Sequence, residues 1–380
     1  MNPPHLLHNH LFAPTPKRIL SLEGGGVRGA LSLAFLERIE ALLRARTKRP
    51  DLRLCEYFSL IGGTSTGAII AAGLALGHSV GELIDLYLNI SRESFVRRKW
   101  AGFQFPGGTL IPKFQDEALR EAILRQFGPE TLGSDRLACG LGIVAKRLDS
   151  ASVWLFHNHP NGPYYTHNRE LKIANLLRAS TAAPGYFGPE MLEVAPGIEG
   201  LFVDGALGPH NNPSLLLLML ATLEGYGFRW PMGGLAEDAR LTLVSIGTGG
   251  TRPQPLWGET YRNKPPAILG VEALFSMMHD AGWLAQAMLQ WMSSSPTAWQ
   301  IDTEVGDLRN DVLGGKNAVH YLRYDAPLER DWLREHLGVE IEEAELRGLR
   351  EIDRPENTAR LIEIGRRAAA RQIHDHHLPK

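Results

Sequence analysis

The segment YFSLIGGTSTGAIIAAGLAL, residues 57–76, decides the fold of this chain. Its apolar run at 57–61 predicts a short β-strand, and residues 68–76 predict a helix that Gly77 closes. Between them lies Gly63-Thr64-Ser65-Thr66-Gly67, which has the form G-x-S-x-G. A serine in this context is expected at a sharp turn from a strand into a helix.

Ser65 has the setting of a nucleophile. The backbone is crowded at such a turn, so small residues such as Gly63 and Gly67 are needed on either side of the serine. The turn exposes the hydroxyl at the carboxyl edge of a sheet and at a helix N-terminus, where unpaired amides favour developing negative charge. The alternative is an ordinary strand–helix junction with Ser65 as a helix N-cap.

The same order of elements occurs earlier in the chain. RILSL at 18–22 predicts a strand, Gly24-Gly25-Gly26-Val27-Arg28-Gly29 follows it, and apolar residues at helical spacing continue to about Arg46. Two consecutive units of strand, glycine turn and helix predict βαβ connections and a mostly parallel sheet. We expect further strands at 140–145, 152–156, 201–203 and 241–246.

The glycine-rich loop has two candidate uses. The N–H groups of Gly24, Gly25 and Gly26 can converge on a tetrahedral oxyanion, since no side chains obstruct them. The loop also fits the G-x-G-x-x-G pattern of dinucleotide-binding domains, but that pattern requires a second strand with an acidic end about 20 residues later. The segment RARTKRP at 44–50 does not have the composition of a buried strand, which speaks against the dinucleotide pattern. A nucleotide-binding module or oxidoreductase therefore remains only as the alternative function. Arg28 is a candidate for holding the loop or attracting an anionic head group.

A serine nucleophile needs a base. Asp204 ends the apolar run LFVD and is followed by Gly205. Because the carboxyl ends of parallel strands meet at one edge, we expect Asp204 at the same edge as Ser65, where desolvation would raise its pKa. An Asp-Gly turn is the structural alternative. The functional alternative is a catalytic triad in which a histidine is the base. The candidate histidines are His157, His159, His210 and His279, and we interpret each of them as a loop or surface residue.

Together these segments resemble the patatin-like phospholipase family. Its GGGxRG, GxSxG and DGG or DGA signatures match Gly24–Gly29, Gly63–Gly67 and Asp204–Ala206, in that order. STAAP at 180–184 and SIGTG at 245–249 are also similar to family segments, whereas Ala68 stands where many relatives carry a glycine. The resemblance covers residues 17–250, and the C-terminal third only loosely.

The resemblance implies a three-layer α/β/α sandwich with a mostly parallel central sheet. It also implies a serine acyl hydrolase that releases fatty acids from phospholipids or related acyl lipids without calcium or another cofactor. If the roles of the family's residues apply to the matching positions here, Ser65 attacks the ester carbonyl, Asp204 takes the Ser65 proton, and the amides of Gly24–Gly26 hold the oxyanion. Water then cleaves the acyl-enzyme. Some bacterial relatives resemble effectors that are switched on by cyclic nucleotides, which makes a cyclic nucleotide a candidate activator.

Composition bounds the remaining possibilities. The chain has 380 residues, 44% of them hydrophobic, and a formal net charge of -2, so nothing indicates binding to nucleic acid polymers. Two cysteines, Cys55 and Cys139, form no disulfide framework, and no apolar run approaches the ~20 residues that span a bilayer. We expect a cytoplasmic protein that contacts the inner membrane surface transiently, with the basic cluster at 97–99 as a candidate contact. Its oligomeric state is open.

The expected organisation has three parts. Residues 1–16 read as a flexible leader, 17–330 as the catalytic domain, and 331–380 as a helical region packed on that domain. The aromatic and glycine-rich stretch at 92–112 is either a packed loop or a mobile rim of the site.

Overall fold

The computed structural model describes residues 3–94, 112–232, 241–250, 266–300 and 309–380. Arg97, Arg98, Lys99 and most of the 92–112 stretch lie outside these ranges. The described residues form one sheet of nine strands, which are β1 Arg18–Leu22, β2 Leu60–Thr64, β3 Gly140–Arg147, β4 Ser152–His157, β5 Glu190–Ala195, β6 Ile198–Asp204, β7 Thr242–Ile246, β8 Ser293–Ser294 and β9 Val319–Tyr324.

Helices occupy most of the remaining described chain. They are α1 Pro3–Phe12, α2 Gly29–Thr47, α3 Leu54–Tyr57, α4 Thr66–Ala75, α5 Val80–Ser94, α6 Asp116–Phe127, α7 Tyr165–Asn168, α8 Ile173–Ser180, α9 Ser214–Thr222, α10 Pro266–Trp291, α11 Arg330–Leu337, α12 Glu343–Arg350 and α13 Thr358–Gln372. No helix among the described residues is long and apolar enough to cross a membrane.

The sheet has the strand order β5-β6-β3-β2-β1-β7-β9-β8, and β4 pairs with β3. The pairs β1–β2, β2–β3, β1–β7, β7–β9 and β8–β9 are parallel, whereas β4 and β6 run antiparallel to β3. The central strands β1, β2 and β7 are almost entirely buried, as expected when helices cover both faces of a parallel sheet.

Two hydrophobic cores lie on opposite faces of the sheet. Alternate residues of a strand point to opposite faces, and in β1 Leu20 joins the larger core while Ile19 joins the smaller one. The larger core includes α2, α4 and α13, and the smaller one includes α9. The predicted α/β/α architecture with a mostly parallel sheet is therefore confirmed.

The C-terminal helix α13 packs against α2. A β-carbon on Gly365 would lie 2.7 Å from the β-carbon of Ala34, so glycine allows the two helices to approach closely. Leu361 and Ile364 are fully buried in the larger core. The region after 330 is thus built into the same core as the glycine loop, while the domain boundary at 330 stays a prediction.

Two expectations about local structure were wrong. Residues 3–12 form α1 instead of a flexible segment: Leu6 and Leu11 are buried, and the Leu11 carbonyl accepts from Trp230 Nε1 at 3.2 Å. Prolines in a first helical turn cost little, because the N–H groups there have no partner in the helix. The strand expected at 57–61 begins at Leu60, since the Glu56 carboxylate accepts from the Arg53 N–H and starts the short α3.

Candidate active site

Ser65 occupies a strained turn between β2 and α4. Its backbone angles are φ 54° and ψ −126°, although it has a side chain. A non-glycine residue in such a conformation costs about 1–3 kcal/mol, and strain of this kind concentrates at functional sites. The turn therefore has the geometry of a nucleophile elbow.

The glycines on either side of Ser65 are required by close backbone contacts. A β-carbon on Gly63 would lie 2.3 Å from the carbonyl carbon of Gly67. One on Gly67 would lie 2.4 Å from the carbonyl oxygen of Leu22 in β1. Neither position can carry a side chain unless the backbone moves.

The Ser65 hydroxyl donates to Asp204 Oδ2 at 2.6 Å. The second carboxylate oxygen of Asp204 accepts from the Ala206 N–H at 2.8 Å. Asp204 is only 4% exposed, and this burial raises its pKa to about 6, against the opposing effect of the two hydrogen bonds. At neutral pH Asp204 is ionised and is a stronger base than an ordinary aspartate.

Asp204 lies next to Ser65 as predicted, but the strand that carries it does not run in the predicted direction. The expectation that its strand runs parallel to β2 was wrong, because β6 runs antiparallel to β3. The register pairs Asp204 with Ala145, while Thr64 pairs with the adjacent Val144. The next residue, Gly205, packs closely against β3, because a β-carbon on it would lie 2.6 Å from the Val144 carbonyl oxygen.

Ser180 fixes the backbone of Ser65. Its hydroxyl accepts from the Ser65 N–H at 2.9 Å and donates to the Val144 carbonyl at 2.6 Å, and all of these groups are buried. The sequence flagged STAAP at 180–184 only through the family resemblance, without a role for the serine. Ser180 touches the turn and not the Ser65 hydroxyl, so it is a candidate for positioning Ser65.

Ser180→Ala is expected to leave the Ser65 N–H without a partner in a buried site. Such a loss costs about 1–3 kcal/mol of stability, and we expect kcat to fall roughly tenfold with KM changed less than about threefold, because the nucleophile is displaced and the lipid contacts are not. Urea unfolding and steady-state kinetics measure the two effects. A variant with unchanged kcat would show that Ser180 serves stability alone.

The glycine loop lies directly beside Ser65. A β-carbon on Gly24 would lie 3.1 Å from that of Ser65. The Gly24 N–H donates to the Asn211 carbonyl at 3.2 Å, and the Gly25 N–H makes a long hydrogen bond of 3.3 Å to Thr66 Oγ1. Gly26 has φ 56°, a conformation that favours glycine. The N–H groups of Gly24 and Gly25 each donate a long hydrogen bond, which an oxyanion bound to this loop would have to displace.

A second glycine turn supports this loop from β7. Thr248 Oγ1 donates to the Gly24 carbonyl at 3.1 Å and fills the space that a side chain on Gly25 would need. Arg28 donates to the Gly249 carbonyl at 3.4 Å. The segment at 245–249, which sequence similarity alone had flagged, thus braces the loop.

A buried ion-pair network lies behind both turns. Arg323 of β9 contacts Glu23 at 2.5 Å and Asp325 at 2.9 Å. Asp325 also accepts from the Gly249 N–H at 2.8 Å. Sequence reasoning missed these residues because their partners are far apart in the chain.

The candidate histidines lie away from Ser65. His157 and His159 pack against Phe228, and burial lowers the pKa of each to about 4, so both are neutral at pH 7. His210 contributes its backbone carbonyl to Thr64 Oγ1, and His279 lines a separate cavity. Across the described ranges, no histidine side chain hydrogen-bonds to Ser65 or Asp204.

The dinucleotide interpretation of the glycine loop conflicts with its surroundings. A pyrophosphate needs open space against these amides. Here the Val27 N–H donates to the Ile352 carbonyl at 2.8 Å, and a β-carbon on Gly26 would lie 2.1 Å from that oxygen. Protein therefore occupies the space that the phosphates would fill.

A small apolar cavity adjoins Ser65. Its volume is about 60 Å³, and its lining includes Ile69, Ile90, Leu119, Phe187 and Ile352. Typical ligand pockets measure about 300–1,000 Å³. The lining suits an acyl chain, but the cavity must widen before such a chain can enter.

Comparisons with known proteins agree with this geometry. The patatin-like phospholipase family profile matches residues 20–218. A cGAMP-activated phospholipase of Escherichia coli is 35% identical over 202 residues, which are 53% of this chain and 55% of that protein. One of Vibrio cholerae is 32% identical over 278 residues, 71% of each chain. A cUMP-AMP-activated phospholipase of Escherichia coli is 26% identical over 303 residues, and this alignment covers 78% of this chain and 77% of that protein. The first alignment thus spans about half of that relative's length.

Proposed function

Because the chain belongs to the patatin-like phospholipase family, we propose that it is a lipid acyl hydrolase with Ser65 as nucleophile and Asp204 as base. The 2.6 Å hydrogen bond between the Ser65 hydroxyl and the buried Asp204 carboxylate carries the assignment of roles. Family membership supports lipid esters as the substrate class. The finer proposal is release of fatty acids from phospholipids, as a phospholipase A or lysophospholipase.

The reaction has two steps. In the first, Asp204 takes the Ser65 proton while Oγ attacks the ester carbonyl, and N–H groups of the Gly24–Gly26 loop bind the oxyanion. The leaving alcohol then receives that proton, and an acyl-enzyme remains on Ser65. In the second step Asp204 takes a proton from water, the hydroxide attacks the acyl carbonyl, and the fatty acid leaves as Ser65 regains a proton.

Lipid mass spectrometry tests the substrate class. Incubation with mixed phospholipid vesicles is expected to yield free fatty acids together with lysophospholipids or fully deacylated head groups. We propose that the enzyme contacts a membrane surface transiently, since phospholipids lie there. Hydrolysis of soluble short esters without any release from vesicles would favour a non-lipid esterase.

The rate should follow the ionisation of Asp204. Its pKa of about 6 means that the carboxyl loses its function as a base as pH falls through 6. We expect kcat/KM to be flat above pH 7 and to fall roughly tenfold per unit well below pH 6. A pH–rate profile measures this, with circular dichroism to verify that the fold persists at pH 5. A flat profile from pH 5 to 8 would exclude Asp204 as the base.

We further propose that a cyclic nucleotide activates the enzyme. Two similar bacterial phospholipases are named for activation by cGAMP, and the narrow cavity at Ser65 fits an enzyme at rest. Fatty acid release measured with and without cGAMP tests this: release should rise when the nucleotide is present.

A further inference from the structure

A second and much larger cavity lies beside the glycine loop. Its volume is about 1340 Å³, and its walls come from α10, β9 and the helices α11 to α13. Glu23, Arg28 and Thr248 bring the glycine loop and its supporting turn to the same cavity. Since typical ligand pockets measure about 300–1,000 Å³, a molecule as large as a dinucleotide fits.

The walls combine aromatic rings with arginine side chains. The rings belong to Trp283, Trp299 and Trp332. Within the described chain, Arg28 donates to the Gly249 carbonyl and Arg350 to the Leu328 carbonyl, and neither forms an ion pair with a carboxylate. Nucleobases stack on tryptophan, and the arginine guanidinium matches the geometry of phosphate oxygens. This composition suits a nucleotide.

Five acidic residues of the described chain also line the cavity, and four of them pair with lysine or arginine, Glu351 with Arg354. Glu23 and Asp325 pair with Arg323. Asp353 pairs with Lys113, and Asp353 is nearly inaccessible to solvent. Lys113 lines the cavity as well, so an incoming phosphate would compete with Asp353 for its ammonium group.

The turn at residues 350–353 connects this cavity to Ser65. Ile352 lines both cavities, and its carbonyl accepts from Val27 in the glycine loop. The Lys113–Asp353 ion pair holds one end of the turn. Release of that pair would leave the hydrogen bond from Val27 as the remaining one of these two contacts that keep Ile352 beside the small cavity.

We propose that the large cavity binds a nucleotide, with its bases on the tryptophan rings and its phosphates on Arg28, Arg350 and Lys113, and that binding moves the 350–353 turn away from Ser65. This inference rests on the proposed activation by a cyclic nucleotide and gives that activation a site. The withdrawal of Ile352 widens the small cavity enough to admit an acyl chain.

Binding is tested by titration calorimetry with cGAMP on the Ser65→Ala protein, which keeps the measurement independent of hydrolysis. Trp283→Ala and Arg350→Ala should each weaken binding at least tenfold. Trp291→Ala is the matched control, on the same helix and 48% exposed against 47% for Trp283. Arg347→Ala is the control for Arg350, because Arg347 is exposed on the same helix and does not line the cavity. Both controls should bind within twofold of the parent. Absent binding, or equal losses in controls and cavity variants, would overturn the proposal.

Coupling is tested with the Ser65 protein. Asp353→Asn and Lys113→Gln each remove the ion pair that holds the turn, so both should raise fatty acid release without nucleotide at least tenfold, with melting temperatures measured to exclude unfolding. Unchanged release in two folded variants would contradict the coupling. Ser65-dependent hydrolysis without cGAMP binding overturns the cavity site alone, whereas binding without hydrolysis contradicts the proposed function.

Discussion

Replacing Ser65 by alanine is expected to lower kcat/KM for phospholipid hydrolysis by about 10³- to 10⁶-fold, the range seen when a serine nucleophile is removed. The variant retains the glycine loop and Asp204, but no atom can form the acyl-enzyme. The fold should be preserved, because removal of the hydroxyl leaves Asp204 with its hydrogen bond from Ala206. Fatty acid release from vesicles, measured with cGAMP present, gives the rate.

Ser150→Ala provides the control for this loss. Ser150 is an exposed serine beyond the end of β3 and does not line the small cavity. Its replacement should change the rate by no more than a few-fold, because it takes no part in the proposed chemistry. Ser65→Ala activity within tenfold of wild type would rule out Ser65 as the nucleophile.

Asp204→Asn is expected to remove activity and to stabilise the protein. The rate should fall by about 10³- to 10⁴-fold, because an amide cannot accept the Ser65 proton. The stability effect follows from the pKa, which is raised from 3.8 to about 6 by burial. Between these values the folded state binds more protons than the unfolded state, so the free energy of unfolding falls as pH rises through this window.

By pH 7 this cost amounts to about 2–3 kcal/mol, at 1.36 kcal/mol per pKa unit. An asparagine carries no charge and can still hydrogen-bond to Ser65 and Ala206, so Asp204→Asn should recover much of that free energy. Urea unfolding at pH 7 measures the gain, with the exposed Asp135→Asn as a control expected to stay within about 0.5 kcal/mol. A less stable variant at pH 7 would show that the Asp204 carboxylate serves the fold instead of straining it.

The two motifs around the site differ in how much of the structure they predict. The Gly63–Gly67 segment specifies its own geometry, because strand, turn and helix are consecutive and Gly67 must meet Leu22 of the neighbouring strand. Asp204 was assigned to the correct edge for an incorrect reason. Its strand forms a hairpin with β5 and runs antiparallel to β3, and Pro196-Gly197 in that hairpin is a turn signal that the sequence interpretation did not use.

The remaining features depend on contacts between distant parts of the chain. Glu23, Arg323 and Asp325 are unrelated charged residues in the sequence, and the pairing of β1 with β7 and of β7 with β9 brings them together behind the glycine loop. Ile352 likewise lies more than three hundred residues from the loop that it contacts. Neither a local pattern nor residue spacing predicts such contacts.

The most direct test of the central claim is the site at which a fluorophosphonate probe attaches, mapped by tandem mass spectrometry in the presence of phospholipid vesicles and cGAMP. The proposed roles predict one adduct, on Ser65, which is absent in Ser65→Ala and forms at least a hundredfold more slowly in Asp204→Asn. An adduct on a different residue, or no adduct on Ser65 while lipid hydrolysis proceeds, would contradict the proposed Ser65–Asp204 mechanism.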